Sequence, residues 1–164
     1  MTRFLFCLFL SIVFLTGCGE RAEEKAMEKK IEKETGAKAD VDLSRKGMKI
    51  TGETDRGKYT LITGEETEIP KDFPDDVFIY RPSKAVMAMK VPDGYSITLT
   101  TSDNRSKILS TYREEMNAKG WSEETSMIMG PQSVLVYKKN DRVANISIIT
   151  SDKALQITVT VTTK

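Results

Sequence analysis

Histidine is missing from all 164 residues, and cysteine occurs only twice, as Cys7 and Cys18. Without imidazole the chain can build no Ser-His or Cys-His catalytic pairing, and most metal-ligand sets go with it, so neither a cofactor nor a metal is expected. An excess of either charge is missing too: 25 Lys and Arg face 24 Asp and Glu, a formal net charge of +1. No large field is available to steer the chain onto nucleic acid or anionic lipid, and nucleic acid is not an expected partner. Long hydrophobic runs are absent beyond Phe4–Leu15. About 12 apolar residues rising 1.5 Å each fall short of roughly 30 Å of hydrocarbon, so no stable membrane span is expected. A chain of this length holds one ordinary domain, burying roughly 70% of its unfolded surface.

What is present begins with "MTRFLFCLFLSIVFLTGCGERAEEK". A basic start, an apolar core and small residues before Cys18 form the pattern of a secretory signal over residues 1–17, which would carry Cys7 away. The junction Leu15–Cys18, "LTGC", resembles the lipobox of bacterial prolipoproteins. The resemblance implies cleavage between Gly17 and Cys18, a diacylglyceryl thioether on the Cys18 sulfur, and a chain held on a membrane by two or three acyl groups at about 0.8 kcal/mol per buried methylene. An ordinary cysteine after the leader would instead be an unpaired thiol in an oxidising compartment. In that family an aspartate after the cysteine commonly retains the protein at the inner membrane; Gly19 does not match, so an outer-membrane location is expected if the host is diderm. The chain would then face the periplasm or the cell exterior.

Residues 18–36 lack proline and favour helix, but their apolar stripe is thin: Glu20, Glu24, Glu28 and Glu32 form one row, Arg21, Lys25, Lys29 and Lys33 the next. A solvated, charged helical stalk is expected there. Over 37–69 the period drops toward two, and "ADVDL", "MKI" and "KYTLIT" around a "TDRG" turn predict a small β-hairpin region. Pro70 and Pro74 then mark a connector.

Residues 70–164 carry the stronger patterns. Ala85, Met87, Met89 and Val91 alternate up to Pro92-Asp93-Gly94, and Tyr95, Ile97, Leu99 and Thr101 alternate away from it, a hairpin signal. Ser102 or Asp103 is expected to cap a helix running to about Lys119, with Ile108, Leu109, Tyr112 and Met116 on one face and Gly120 ending it. Four strands follow, the last with Leu155, Ile157, Val159 and Val161 facing one way and Gln156, Thr158, Thr160 and Thr162 the other. The expected class is α+β, an antiparallel sheet with one main helix on one face in the order ββαββββ, preceded by the hairpin and the stalk. "FPDDVFIYRP", the strand pair, the helix and the "GW" at Gly120-Trp121 resemble uncharacterised small bacterial lipoprotein and secreted domains, a resemblance that brings no activity with it.

Candidate chemistry is sparse. "SDN" at Ser102–Asn104 lacks the S-x-x-K and K-T-G partners of penicillin-interacting enzymes and is better explained as the helix cap. Ser106 and Lys107 are adjacent on a helix and point apart. The carboxylates Glu65, Glu66, Glu68, Asp72, Asp75 and Asp76 crowd the connector without EF-hand order, leaving solvated turns or weak divalent binding at Asp72, Asp75 and Asp76. Tyr80 and Trp121 are the candidates for a recognition surface, with core packing as the alternative. Met87, Met89, Met127 and Met129 alternate on strands as packing or as an adaptable face. No nucleophile–base pair emerges. The expectation is a lipid-anchored, non-enzymatic envelope module that binds an unidentified envelope protein through a sheet face or edge, or alternatively a small-molecule or lipid binder using the space between helix and sheet.

Overall fold

The computed structural model describes residues 18–36, 38–44, 46–65, 67–150 and 154–162. The signal-peptide reading of 1–17, including Gly17, lies outside them, and no helix among the described residues is long and apolar enough to cross a membrane. Helix α1 spans Cys18–Thr35. Three strands follow, β1 Ala39–Ser44, β2 Gly47–Thr54 and β3 Gly57–Gly64. After the connector come β4 Lys84–Val91, β5 Gly94–Thr101, helix α2 Arg105–Ala118, and β6 Ser122–Met129, β7 Gln132–Lys139, β8 Arg142–Thr150 and β9 Leu155–Thr162.

The nine strands of the described residues join one antiparallel sheet in the order β1-β2-β3-β4-β5-β9-β8-β7-β6. The class is α+β, but the order over the whole chain differs from the one expected. Residues 39–64 form a three-stranded meander rather than a hairpin, because "ADVDLS" pairs fully with β2 from Ala39↔Gly52 to Ser44↔Gly47. Nor does the connector separate two units, since β3 pairs with β4 over Thr60↔Lys90 to Thr63↔Met87.

Helix α2 covers the inner face of the β5-β9-β8-β7 half. Its Ile108, Leu109, Tyr112 and Met116 are buried together with Ile97, Leu99, Ile146, Ile157 and Val159 from the strands. Each such side chain contributes about 1.5–3 kcal/mol by leaving water. The connector adds Phe73, Val77 and Tyr80 to the same core. Asn104, rather than Ser102 or Asp103, caps α2: its side chain accepts from the Lys107 backbone N–H at 2.9 Å. Asp103 is engaged elsewhere, accepting from the Tyr80 hydroxyl at 2.7 Å and from the Lys107 ammonium. Gly120 ends the helix at φ +80, the left-handed backbone a side chain would strain.

Helix α1 is not a free stalk. Glu24 accepts a hydrogen bond from the Leu43 backbone N–H at 2.9 Å and Glu28 from that of Val41 at 3.2 Å, so the helix runs antiparallel along the otherwise open edge of β1. Its glutamate row, which weakens it as an isolated helix, supplies the acceptors that a tenth strand would have provided.

The dry face changes side across the sheet. A bulge between Ala85 and Met87 turns Ala88 toward the core and sets Met87, Met89 and Val91 on the opposite, outer face, where the simple alternation had joined them to Ala85. Register carries one row across that outer face: Val41, Ile50, Leu61 and Met89, then Ser96 and Thr160. Apolar side chains thus occupy the outer face over β1–β4, and hydroxyls over β5 and β9, where Ser96 and Thr160 meet at 3.2 Å.

Candidate functional site: a cleft between two hairpin turns

Of the two readings open for Tyr80 and Trp121, a recognition surface or core packing, the structure shows packing. Tyr80 is 1% exposed and Trp121 2%, and both sit in the core. Their polar tips are satisfied inside: the Trp121 indole N–H donates to the Asp76 carbonyl at 2.7 Å, and the Tyr80 hydroxyl to Asp103. Burial and the neighbouring Asp103 carboxylate push the Tyr80 hydroxyl up to about 12. The "GW" pair is therefore a fold element, in which glycine turns the chain and tryptophan locks the connector beneath it. Cys18 is the first residue of α1.

The connector carboxylates do not converge. Asp72 pairs with Lys90 of β4, while Asp76 pairs with Lys139 at 2.7 Å and with the Arg142 guanidinium. That guanidinium, aided by Lys139, holds the Asp76 carboxyl well below its usual range, at about 2. Asp75 contributes a backbone carbonyl to the Lys119 ammonium at 2.9 Å. Among the described residues no group of three Asp, Glu, His or Cys is placed to hold a metal ion. Arg142 also lies over the Trp121 ring at 5.0 Å, making Asp76, Lys139, Arg142 and Trp121 one clasp between the connector and the β7–β8 hairpin.

The space between α2 and the sheet, where the alternative reading would place a bound small molecule, is filled. Phe78 and Tyr80 pack on Tyr112 at ring separations of 5.3 and 6.2 Å, and Ile108, Met116, Ile146, Ile148 and Ile157 around them are wholly buried.

Room for a ligand lies instead on the outer face, at the ends of the β2–β3 and β4–β5 hairpins. A cleft of about 520 Å³ is lined by Tyr59, Met89, Val91 and Pro92, with Thr54, Asp55, Arg56 and Asp93 completing it. Its volume falls in the range of small-molecule sites, roughly 300–1,000 Å³, and its make-up of apolar walls with a few polar groups is theirs as well. Two glycines permit the shape. A Cβ at Gly52 would stand 2.4 Å from the Tyr59 ring, so the ring lies against bare β2 backbone. Gly57, at φ +122, lets Pro92 approach to 3.0 Å of where its Cβ would be, which brings the two turns together. Thr54 closes the first turn, its hydroxyl donating to the Gly57 carbonyl at 3.3 Å and accepting from the Arg56 N–H at 3.3 Å. The alternation of Tyr59 with Leu61 and of Met89 with Val91 was visible in the sequence; that the two rows share a face depended on the β3–β4 register, which was not.

No match is found among curated proteins or among solved structures. Over residues 85–163, from the start of β4 through β9, the chain is similar to a family described as START domain-like, whose model matches that span.

Proposed function

We propose that this protein is a lipid-anchored, non-enzymatic binding module of the cell envelope, tethered through Cys18 and facing the periplasm or cell exterior. The cleft at the hairpin turns is its ligand site. The ligand is a small molecule with an apolar body against Tyr59, Met89 and Val91 and a polar end among Asp55, Arg56 and Asp93. The apolar cleft itself carries this reading, and the START domain-like match over 85–163, which includes Met89, Val91 and Asp93, supports a ligand-binding role. The anchor rests on the leader and "LTGC", and an outer-membrane location on Gly19.

Two measurements test the two halves separately. Mass spectrometry of the amino-terminal peptide of protein extracted from membranes should find it starting at Cys18 with a diacylglyceryl mass; a free thiol or an uncut leader removes the anchor. For the cleft, cells are fed a fatty acid bearing a photoreactive diazirine, and labelled peptides of the full chain are mapped. Labelling should fall on the peptides holding Tyr59 and Met89 and drop at least fivefold in Met89→Glu. Apart from acyl groups carried on the Cys18 peptide, labelling elsewhere, or labelling unchanged in that variant, removes the cleft.

A second reading, a protein partner bound along the sheet edge, is favoured by one observation: among the described residues, the sheet ends at β6 with no element beyond it.

A further inference from the structure

The sheet has two edges, treated differently. At β1 the outward N–H groups of Val41 and Leu43 are taken by Glu28 and Glu24 of α1. At β6 all eight residues are exposed. Proteins usually blunt such an edge with charge, proline or a bulge. The first half of β6 has those features, with Glu123, Glu124 and a bulge between Glu123 and Thr125. Thr125–Met129 has none of them, and there Met127, Ile128 and Met129 are 44%, 57% and 54% exposed. The strand is also held in place from behind by α2: Arg113 donates to Glu123 at 3.2 Å and to the Ser126 hydroxyl at 2.8 Å, and Arg105 to the Gly130 carbonyl at 2.6 Å.

We propose that Thr125–Met129 pairs antiparallel with the same segment of a second copy of this chain, joining two nine-stranded sheets into one. The segment is self-complementary about its centre. With Met127 on the twofold axis, Thr125 opposes Met129 and Ser126 opposes Ile128 of the second copy, so apolar side chains are covered on both faces. Glu123 and Glu124 fall beyond the ladder, whereas an axis nearer Ser122 would set them against each other. A five-residue ladder is small beside the roughly 1,000 Å² of a stable interface, so the pairing is weak in dilute solution and grows with local concentration. This inference goes beyond the ligand reading and depends on neither the cleft nor the anchor.

Oxidative cross-linking of the purified full chain over a range of concentrations tests it. Residues opposed across an antiparallel pair have Cα atoms about 4.5–5.5 Å apart, within reach of a disulfide. Met127→Cys should give a disulfide-linked homodimer at least tenfold faster than Ile149→Cys, an exposed site on β8, with the wild-type chain as the background for its own cysteines. Adding Thr125→Lys and Met129→Lys, both at exposed positions, should abolish the product. Cross-linking of Met127→Cys no faster than that of Ile149→Cys, or indifference to the lysines, overturns the proposal. Should the lysine variant be degraded, the comparison of the two cysteine positions still decides.

Discussion

At the scale of single residues, the clasp around Asp76 accounts for the most. One carboxylate faces both Lys139 and Arg142 and is about 29% exposed, so its pairing is only partly screened. Its folded pKa of about 2 lies below the usual 3.8 of an aspartate, so the stabilisation is full above pH 4 and is lost as pH falls toward 2. The shift corresponds to about 2 kcal/mol. Asp76→Asn should therefore lower unfolding free energy by about 2 kcal/mol at pH 7, and the gap to wild type should close in chemical denaturation between pH 4 and pH 2. Trp121→Ala, which removes a wholly enclosed ring and the donor to Asp76, should cost about 3–5 kcal/mol and be read as a large fall in melting temperature.

At the scale of elements, α1 and β1 support each other. Replacing Glu24 and Glu28 together by alanine should speed hydrogen exchange at the Val41 and Leu43 amides at least tenfold while leaving β9 amides unchanged. Asn104→Ala should cost about 1 kcal/mol by uncapping α2, whereas Ser102→Ala should not. These two elements also mark where sequence reasoning reached and where it stopped. The buried face of α2, the alternation of β9 and the left-handed Gly120 were legible because each follows from local spacing. Docking of α1 was not, since a row of glutamates looks solvated until an edge of unpaired N–H groups lies beside it. The bulge in β4 was hidden because Ala85 and Met87 keep a perfect two-residue period in the letters while the backbone slips between them. Tyr80 and Trp121 stayed open between a recognition surface and the core, because burial of their polar tips requires Asp103 and the Asp76 carbonyl, partners 23 and 45 residues away.

At the scale of the whole molecule, one sheet serves two opposite layers: α2 and the connector against the inner face of one half, an apolar outer row on the other. The candidate cleft belongs to that second layer and was invisible without the pairing of β3 with β4. Gly52→Ala should displace the Tyr59 ring, reducing probe labelling in the cleft several-fold with a melting temperature close to wild type. Unchanged labelling would show that the ring does not shape the site.

The placement of β9 has a consequence for biogenesis. It is hydrogen-bonded between β5 and β8, yet it is the last of the nine strands to leave the ribosome. Until it emerges, β1–β5 and β6–β8 have no shared ladder, and the nascent polypeptide stays unfinished for almost the whole of its synthesis. A chain in that condition can close its core only once the final strand has slotted in, so the central seam is zipped shut last.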